Sequence, residues 1–150
     1  MTTDIPVLIP AYNPDEKLLK VAEDLIKLGQ KTIIIINDGS KPECKSIFDR
    51  LSQKGCHVLA HAANLGKGRA LKTGLNYFHI NFENSPGIIT ADADGQHLAK
   101  DILGVAETLA NTKTKLVLGV RKFKKEIPLR SLFGNVITKF LFRFLVGKKV

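Results

Sequence analysis

Five consecutive β-branched residues, Thr32 to Ile36, constrain the fold more than any other segment of the chain. A strand made only of such side chains presents apolar groups on both of its faces, so both faces must be covered. Parallel sheets with helices packed on either side provide that environment. The segment therefore predicts a central strand of an α/β domain.

Strand-like and helix-like patterns alternate along the chain from one end to residue 120. Alternation of this kind predicts a doubly wound, mostly parallel sheet with helices on both faces. The predicted strands are 5–11, 32–36, 57–60, 87–91 and 116–120. The predicted helices are 16–28, 42 to about 55, 67–82 and 98–110, and Gly29 is expected to close the first of them.

The positive charge is concentrated in the last quarter of the chain. The sequence carries 23 Lys and Arg against 14 Asp and Glu, a formal net charge of +9. Residues 113–150 hold 11 of the basic residues and a single acid, Glu126. Apolar residues recur there at helical spacing from Pro128 onward, which predicts a basic amphipathic helix over 128–150. Such a helix covers the sheet with a solvated basic face, lies at an anionic membrane surface, or does both with different faces.

The two cysteines and the hydropathy pattern indicate a cytoplasmic protein. Cys44 and Cys56 lie twelve residues apart without metal-ligand spacing, so we expect two reduced thiols. The N-terminus shows no signal-peptide pattern, and no run of about 18 apolar residues predicts a membrane span.

Asp92 and Asp94 directly follow the predicted fourth strand. In a doubly wound sheet, ligands bind outside the carboxyl ends of the strands. Two carboxylates with a single residue between them repel each other, and a divalent cation relieves that repulsion. Mg²⁺ and Mn²⁺ prefer oxygen ligands of this kind. The pair therefore predicts a metal site that holds a phosphorylated substrate.

Two other loops carry weaker signals at the same predicted edge. Gly66 and Lys67 open a helix, whose N-terminal N–H groups favour a phosphate. Asp38 follows the central strand, where its carboxylate is able to accept an N–H of a nucleotide base. The simpler interpretations are a glycine-rich turn with an exposed lysine and a turn-forming aspartate.

The segments IPAYN (9–13), NDGS (37–40), NLGKG (64–68) and DADGQH (92–97) occur in order, each after a predicted strand. This set resembles family 2 of the inverting glycosyltransferases, which have the GT-A fold. The branch most similar to it includes dolichyl-phosphate mannosyltransferases and bacterial polyprenyl-phosphate glycosyltransferases. The resemblance extends from residue 5 to about 147. It implies a nucleotide-sugar-binding core over 1–127, followed by the basic helical segment 128–150.

The resemblance also implies roles for single residues. Asp92, Asp94 and Gln96 are the implied ligands of Mg²⁺ or Mn²⁺, whereas we expect His97 to start a helix rather than to bind the metal. The implied nucleotide-sugar-binding residues are Pro10, Ala11, Tyr12, Asn13, Asp38, Gly66, Lys67, Asp92, Ala93 and Arg121.

The expected reaction is metal-dependent transfer of a sugar from a nucleotide-diphosphate sugar. A phosphate acceptor is already anionic near neutral pH, because its second pKa is about 6. It needs cations more than a base, and the stretch 121–125 with Arg130 supplies them. We therefore expect a polyprenyl or dolichyl phosphate acceptor at the cytoplasmic face of a membrane, and no nucleic-acid partner. Transfer to a glycan hydroxyl and a non-catalytic nucleotide-binding module are the alternatives.

Three features depart from the family pattern. Pro14 stands where the family often carries an acid, and Asn37 replaces the first of two aspartates. The family's acceptor-side motif, aspartate-x-x-threonine-glycine, does not occur before Val150. No catalytic residue is therefore identified, and we expect a truncated or donor-binding part of a longer enzyme.

Overall fold

The computed structural model describes residues 5–112 and 116–119. In chain order, this part of the protein contains β1 (Val7–Ala11), α1 (Glu16–Lys27), β2 (Ile33–Asn37), a 3-10 turn (Pro42–Cys44), α2 (Lys45–Gln53), β3 (His57–Ala60), α3 (Lys67–Asn81), β4 (Ile89–Thr90) and α4 (Ala99–Asn111). The first four predicted strands and the four predicted helices of the core are thus present, with ends that differ by a few residues.

The four strands form one parallel sheet in the order β3-β2-β1-β4. The chain moves outward in one direction from β1 to β3 and then returns to the other side of β1 to add β4. This reversal creates a crevice between the carboxyl ends of β1 and β4, where doubly wound sheets bind ligands. The loops after all four strands lie along that same edge.

Both faces of the sheet are covered, as the isoleucine run predicted. Successive side chains of a strand point to opposite faces. Val7, Ile9, Ile33 and Ile35 join a core with α1, α2 and α4. Leu8, Ile34 and Ile36 pack on the other face, where Ala70 of α3 is buried with them. The doubly wound arrangement is confirmed.

Local signals placed the ends of α1 correctly. The carboxylate of Asp15 accepts the N–H of Lys17 at 2.9 Å and so caps the first turn. Gly29 has φ +91°, the left-handed conformation expected of the residue that ends the helix.

The fifth predicted strand is wrong for residues 116–119, which form no strand. Leu116 and Leu118 are each 72% exposed instead of buried in a sheet. Alternating apolar residues give only a propensity, and a strand also needs a neighbouring strand with which to pair. Arg121, the predicted boundary at 127/128 and the predicted basic amphipathic helix lie outside the described residues.

No helix in the described part of the chain combines the length and the apolar character that a membrane span requires.

Gly74 of α3 provides a test of how closely this helix approaches the sheet. A methyl group at that position would lie 2.2 Å from Cδ1 of Leu8, which is fully buried. We expect Gly74→Ala to destabilise the fold by about 1–3 kcal/mol through overpacking, although alanine favours helices. Gly104 of α4 has nothing within 4 Å of the same methyl position, so Gly104→Ala should stabilise by about 0.5–1 kcal/mol. Urea unfolding measures both changes, and shifts of the same sign would contradict the packing described.

Candidate functional site

Four loops follow the four strands at the carboxyl edge of the sheet. The first contains Tyr12 and Asn13, the second Asp38, the third Gly66 and the fourth Asp92. Neighbouring strands lie about 4.8 Å apart, so the four loops span on the order of 14 Å. Hydrogen bonds connect these loops in three places.

Asp38 connects the second loop to the third. One carboxylate oxygen of Asp38 accepts the N–H of Leu65 at 3.0 Å and contacts Nδ1 of His61 at 2.7 Å. The other oxygen accepts the N–H of Gly66 at 2.8 Å. The Asp38 side chain is only 3% exposed. The structure thus shows a buried carboxylate that fixes the start of α3, while the predicted contact of Asp38 with a base remains a prediction.

The ionisation of Asp38 follows from these contacts. Burial by itself raises the pKa of the Asp38 carboxyl, because it penalises the charged form. Hydrogen bonds from Leu65, His61 and Gly66 together outweigh the burial, so the pKa lies below its ordinary value. The carboxylate is therefore ionised at neutral pH.

His61 extends the same network into α3, and the sequence reasoning missed it. An ionised carboxylate only accepts hydrogen bonds, so Nδ1 of His61 donates to Asp38. The other ring nitrogen lies 2.9 Å from the hydroxyl of Thr73 in the middle of α3. His61 directly follows β3, and its place at the carboxyl end of a parallel strand was the signal that could have identified it.

Asn13 connects the first loop to the second. Its N–H donates to the hydroxyl of Ser40 and its side-chain oxygen accepts the N–H of Lys41, both at 2.9 Å. Asn13 has φ +47°, a conformation that asparagine tolerates better than most residues. The neighbouring Tyr12 is 53% exposed. A structural role for Asn13, Ser40 and Lys41 was not anticipated from the sequence.

The two residues before this loop belong to β1. Pro10 pairs in register with Ile36 of β2, and Ala11 is buried at the end of the strand. The carbonyl of Ala11 accepts the N–H of Asp38 at 2.9 Å. Pro10 and Ala11 therefore belong to the sheet from which the first loop extends.

Gly39 explains why the second motif needs a glycine at its centre. Its φ is +66°, and a methyl group there would lie 2.1 Å from the backbone carbonyl carbon of Ala63. The second loop therefore contacts the third loop backbone to backbone, and no larger residue fits between them.

The segment 92–97, here called the acidic loop, is closed by its own hydrogen bonds. The N–H of Asp92 donates to Nδ1 of His97 at 3.1 Å, and the N–H of Gln96 donates to Asp94 at 2.9 Å. Ala93 packs against the main core, whereas Asp94 is exposed. Gly95 has φ +74°, which lets the loop turn back toward α4.

Lys67 brings the third loop and the acidic loop together. Its ammonium group lies 2.5 Å from a carboxylate oxygen of Asp92. Lys67 is the first residue of α3, and Asp92 follows β4 at the far end of the sheet. The predicted phosphate-binding lysine and the predicted metal-binding carboxylate are therefore neighbours, although 25 residues separate them.

The acidic loop offers hard oxygen ligands, but few of them. Within residues 5–112 and 116–119, no group of three or more His, Cys, Asp and Glu is arranged to hold a metal ion. Asp92, Asp94 and the side-chain oxygen of Gln96 supply at most a partial coordination shell. Mg²⁺ is commonly held by one or two carboxylates together with phosphate oxygens of the substrate. The residues present would hold a cation only together with further ligands, such as phosphate oxygens of a substrate.

The Asp38 network predicts a pH-dependent stability. Asp38→Asn replaces one of the two accepting oxygens with an amide NH2, so at least one part-buried donor loses its partner and we expect a loss of about 1–3 kcal/mol at pH 7. Because the folded pKa lies below the ordinary value of 3.8, the stabilisation is complete above that value and is lost as pH falls through the folded pKa. The difference between Asp38→Asn and the wild type should therefore shrink in urea unfolding at acidic pH.

The exposed Asp49 serves as the matched control for that experiment. Its carboxylate pairs with Lys45 at 2.6 Å on the surface of α2. Asp49→Asn should change the free energy of unfolding by no more than about 0.5 kcal/mol. If Asp38→Asn changes the free energy of unfolding equally little at pH 7, the role described for the buried carboxylate is contradicted.

Known proteins similar to this chain include named glycosyltransferases and an uncharacterized protein. An uncharacterized protein of Methanocaldococcus jannaschii is 31% identical over 137 residues, covering 89% of this chain and 58% of that protein. The UDP-N-acetylglucosamine–dolichyl-phosphate N-acetylglucosaminyltransferase of Methanococcus voltae is 32% identical over an alignment of 162 residues, covering 95% and 63%. A dolichyl-phosphate beta-glucosyltransferase of Trichomonas vaginalis is 28% identical over 152 residues, covering 87% and 45%.

The chain therefore spans less than two thirds of the length of each of these relatives. A family model described as Glycosyl transferase family 2 matches residues 7–139, which is most of the chain. The parallel sheet flanked by helices and the ordered motifs agree with that match. The chain belongs to glycosyltransferase family 2.

Proposed function

We propose that this chain is the donor-binding part of a metal-dependent inverting glycosyltransferase that uses a nucleotide-diphosphate sugar. The observation that carries the proposal is the contact between Lys67 and Asp92. It brings the N-terminus of a 15-residue helix next to Asp92 of the acidic loop at the carboxyl edge of the sheet. A diphosphate bound there meets a helix dipole, an ammonium group and a cation site together.

The backbone around the start of α3 indicates which N–H groups serve the phosphates. Those of Leu65 and Gly66 donate to Asp38. Those of Lys67 and Gly68 belong to the first turn, which an α-helix leaves without intrahelical acceptors. Gly68 has open space where a side chain would be. We therefore assign the phosphate contacts to the N–H groups of Lys67 and Gly68. Gly66 contributes indirectly, through the conformation that it gives the loop.

The cation site completes the proposal on the other side of the diphosphate. Asp92, Asp94 and Gln96 would hold Mg²⁺ or Mn²⁺, and phosphate oxygens of the donor would supply further ligands. When bound, such a cation neutralises charge on the departing nucleoside diphosphate. The chain's own contribution is to hold the carboxylates in the closed acidic loop and to aim Lys67 at the same phosphates.

The acceptor is proposed to be a polyprenyl phosphate, and dolichyl phosphate in particular. The names of two relatives include dolichyl phosphate, which supports the assignment by similarity. The excess of basic residues in 113–150 supports it by charge, because an anionic acceptor and an anionic membrane surface both attract such a segment. A location at the cytoplasmic face of a membrane belongs to this proposal.

Metal-dependent nucleotide binding tests the donor half of the proposal. We expect the chain to bind a UDP or GDP sugar in calorimetry only when Mn²⁺ or Mg²⁺ is present. Asp92→Asn and Asp94→Asn should each weaken that binding by at least about tenfold, because each removes a charged oxygen ligand. If neither nucleotide binds with or without a cation, the proposal fails.

Asp24 provides the control for these substitutions. It lies near the end of α1, at the amino edge of the sheet, where it pairs with Lys20 and Lys27 on the surface. Asp24→Asn removes the same charge from the protein as the two test substitutions. The nucleotide affinity of Asp24→Asn should stay within about twofold of the wild type, since the proposed binding site lies at the opposite, carboxyl edge of the sheet.

Transfer to defined acceptors tests the other half. The longer enzyme of which this chain is proposed to be the donor-binding part, incubated with a radiolabelled nucleotide sugar, should label a short-chain dolichyl phosphate and leave an oligosaccharide unlabelled. Labelling of the oligosaccharide alone would replace the lipid phosphate with a glycan hydroxyl as acceptor. Donor binding without transfer to either would indicate a nucleotide-binding module.

A further inference from the structure

The acidic loop begins and ends on rigid elements. At its start, Ala91 is 2% exposed and its N–H donates to the carbonyl of Leu8 in β1 at 3.0 Å. At its end, the carbonyl of Leu98 accepts the N–H groups of Asp101 and Ile102 at 2.9 and 3.1 Å as α4 begins. Ile102 is 4% exposed and anchors α4 in the main core. Between these anchors the loop has six residues in which to place two carboxylates.

His97 connects the two anchored ends. Its ring is half-buried, and its Nδ1 accepts the N–H of Asp92 at 3.1 Å. This contact joins Asp92, the second residue after β4, to the residue just before the N-cap of α4. The contact therefore holds the backbone of Asp92, whose carboxylate contacts Lys67.

The same contact restricts what the imidazole is able to do. A ring nitrogen that accepts an N–H uses its only lone pair in that bond, so Nδ1 of His97 is not available to a metal. The accepting nitrogen carries no proton, which places the proton of the neutral ring on Nε2. Metal sites commonly depend on such partners, which orient the ligands without touching the ion.

We propose that His97 is a positioning residue of the cation site, and this inference rests on the proposed function. By accepting the N–H of Asp92, Nδ1 of His97 holds the backbone at the start of the acidic loop, and with it the direction of the Asp92 carboxylate. Mg²⁺ demands near-ideal octahedral geometry, so a carboxylate that is free to turn binds it less well. His97 is therefore expected to change the affinity for the cation and not the binding of the acceptor.

Two substitutions of His97 separate positioning from direct ligation. In His97→Asn the amide oxygen takes a place close to that of Nδ1, whereas in His97→Gln it takes a place close to that of Nε2. We expect His97→Asn to keep the Mn²⁺ affinity, measured with nucleotide present, within about threefold of the wild type. His97→Gln should lose roughly 10- to 100-fold, the effect typical of residues that orient metal ligands. The opposite ranking would make Nε2 a ligand and overturn the proposal.

A second measurement needs neither metal nor nucleotide. We expect hydrogen exchange at the Asp92 amide to be slow in the metal-free wild type and in His97→Asn, and at least tenfold faster in His97→Gln. Equal exchange in all three proteins would overturn the proposal. A wild type that shows this protection but binds no cation with nucleotide would instead refute the proposed function.

His79 controls for the loss of an imidazole elsewhere on the protein. It lies exposed near the end of α3. His79→Gln should leave both the Mn²⁺ affinity and the Asp92 exchange rate unchanged. Urea unfolding of the His97 variants shows whether they remain folded. If the cation affinity falls in both variants only in proportion to their loss of stability, the proposal is also overturned.

Discussion

The hydrogen bonds of the buried Asp38 carboxylate are the constraint on which the rest of the site depends. A charged group with almost no exposure is stable only when donors surround it, and here Leu65, Gly66 and His61 provide them. These donors come from the loop that leads into α3. Satisfying one carboxylate therefore sets where α3 begins, and the start of α3 sets where Lys67 can reach.

This constraint divides the polar groups of the carboxyl edge into two sets. One set is occupied by the protein itself: the N–H groups of Leu65 and Gly66 on Asp38, and the amide of Asn13 between two loops. The other set is Lys67 and Asp92, which contact each other at the same edge of the sheet. The first set connects the loops to one another by hydrogen bonds, and these loops carry the second set. Preorganisation of this kind reduces the ordering that binding would otherwise require.

Family membership and site geometry answer different questions about this protein. The match over residues 7–139 and the parallel sheet establish which family the chain belongs to. A fold by itself does not specify a reaction, because unrelated functions share the same architecture. The proposed donor chemistry rests instead on the charged groups that meet at the edge of the sheet, and the proposed acceptor rests on similarity to relatives and on the basic residues of 113–150.

The sequence by itself determined the layers of the fold and the loops that carry polar residues. The run Ile33–Ile36 required cover on both faces, and the alternation of elements required parallel strands, because local patterns decide which faces are apolar. It predicted a strand at 116–119 wrongly, since pairing with a neighbour decides whether an apolar alternation becomes a strand.

Only the tertiary structure decided which polar groups meet. His61 contacts Asp38 across 23 residues, and Lys67 contacts Asp92 across 25. The need for glycine at positions 39 and 74 also arises from contacts with distant residues, Ala63 and Leu8. Such contacts depend on the order of strands in the sheet and on how closely α3 packs against it. No local pattern contains that information, because each partner lies on a different element brought near by the fold.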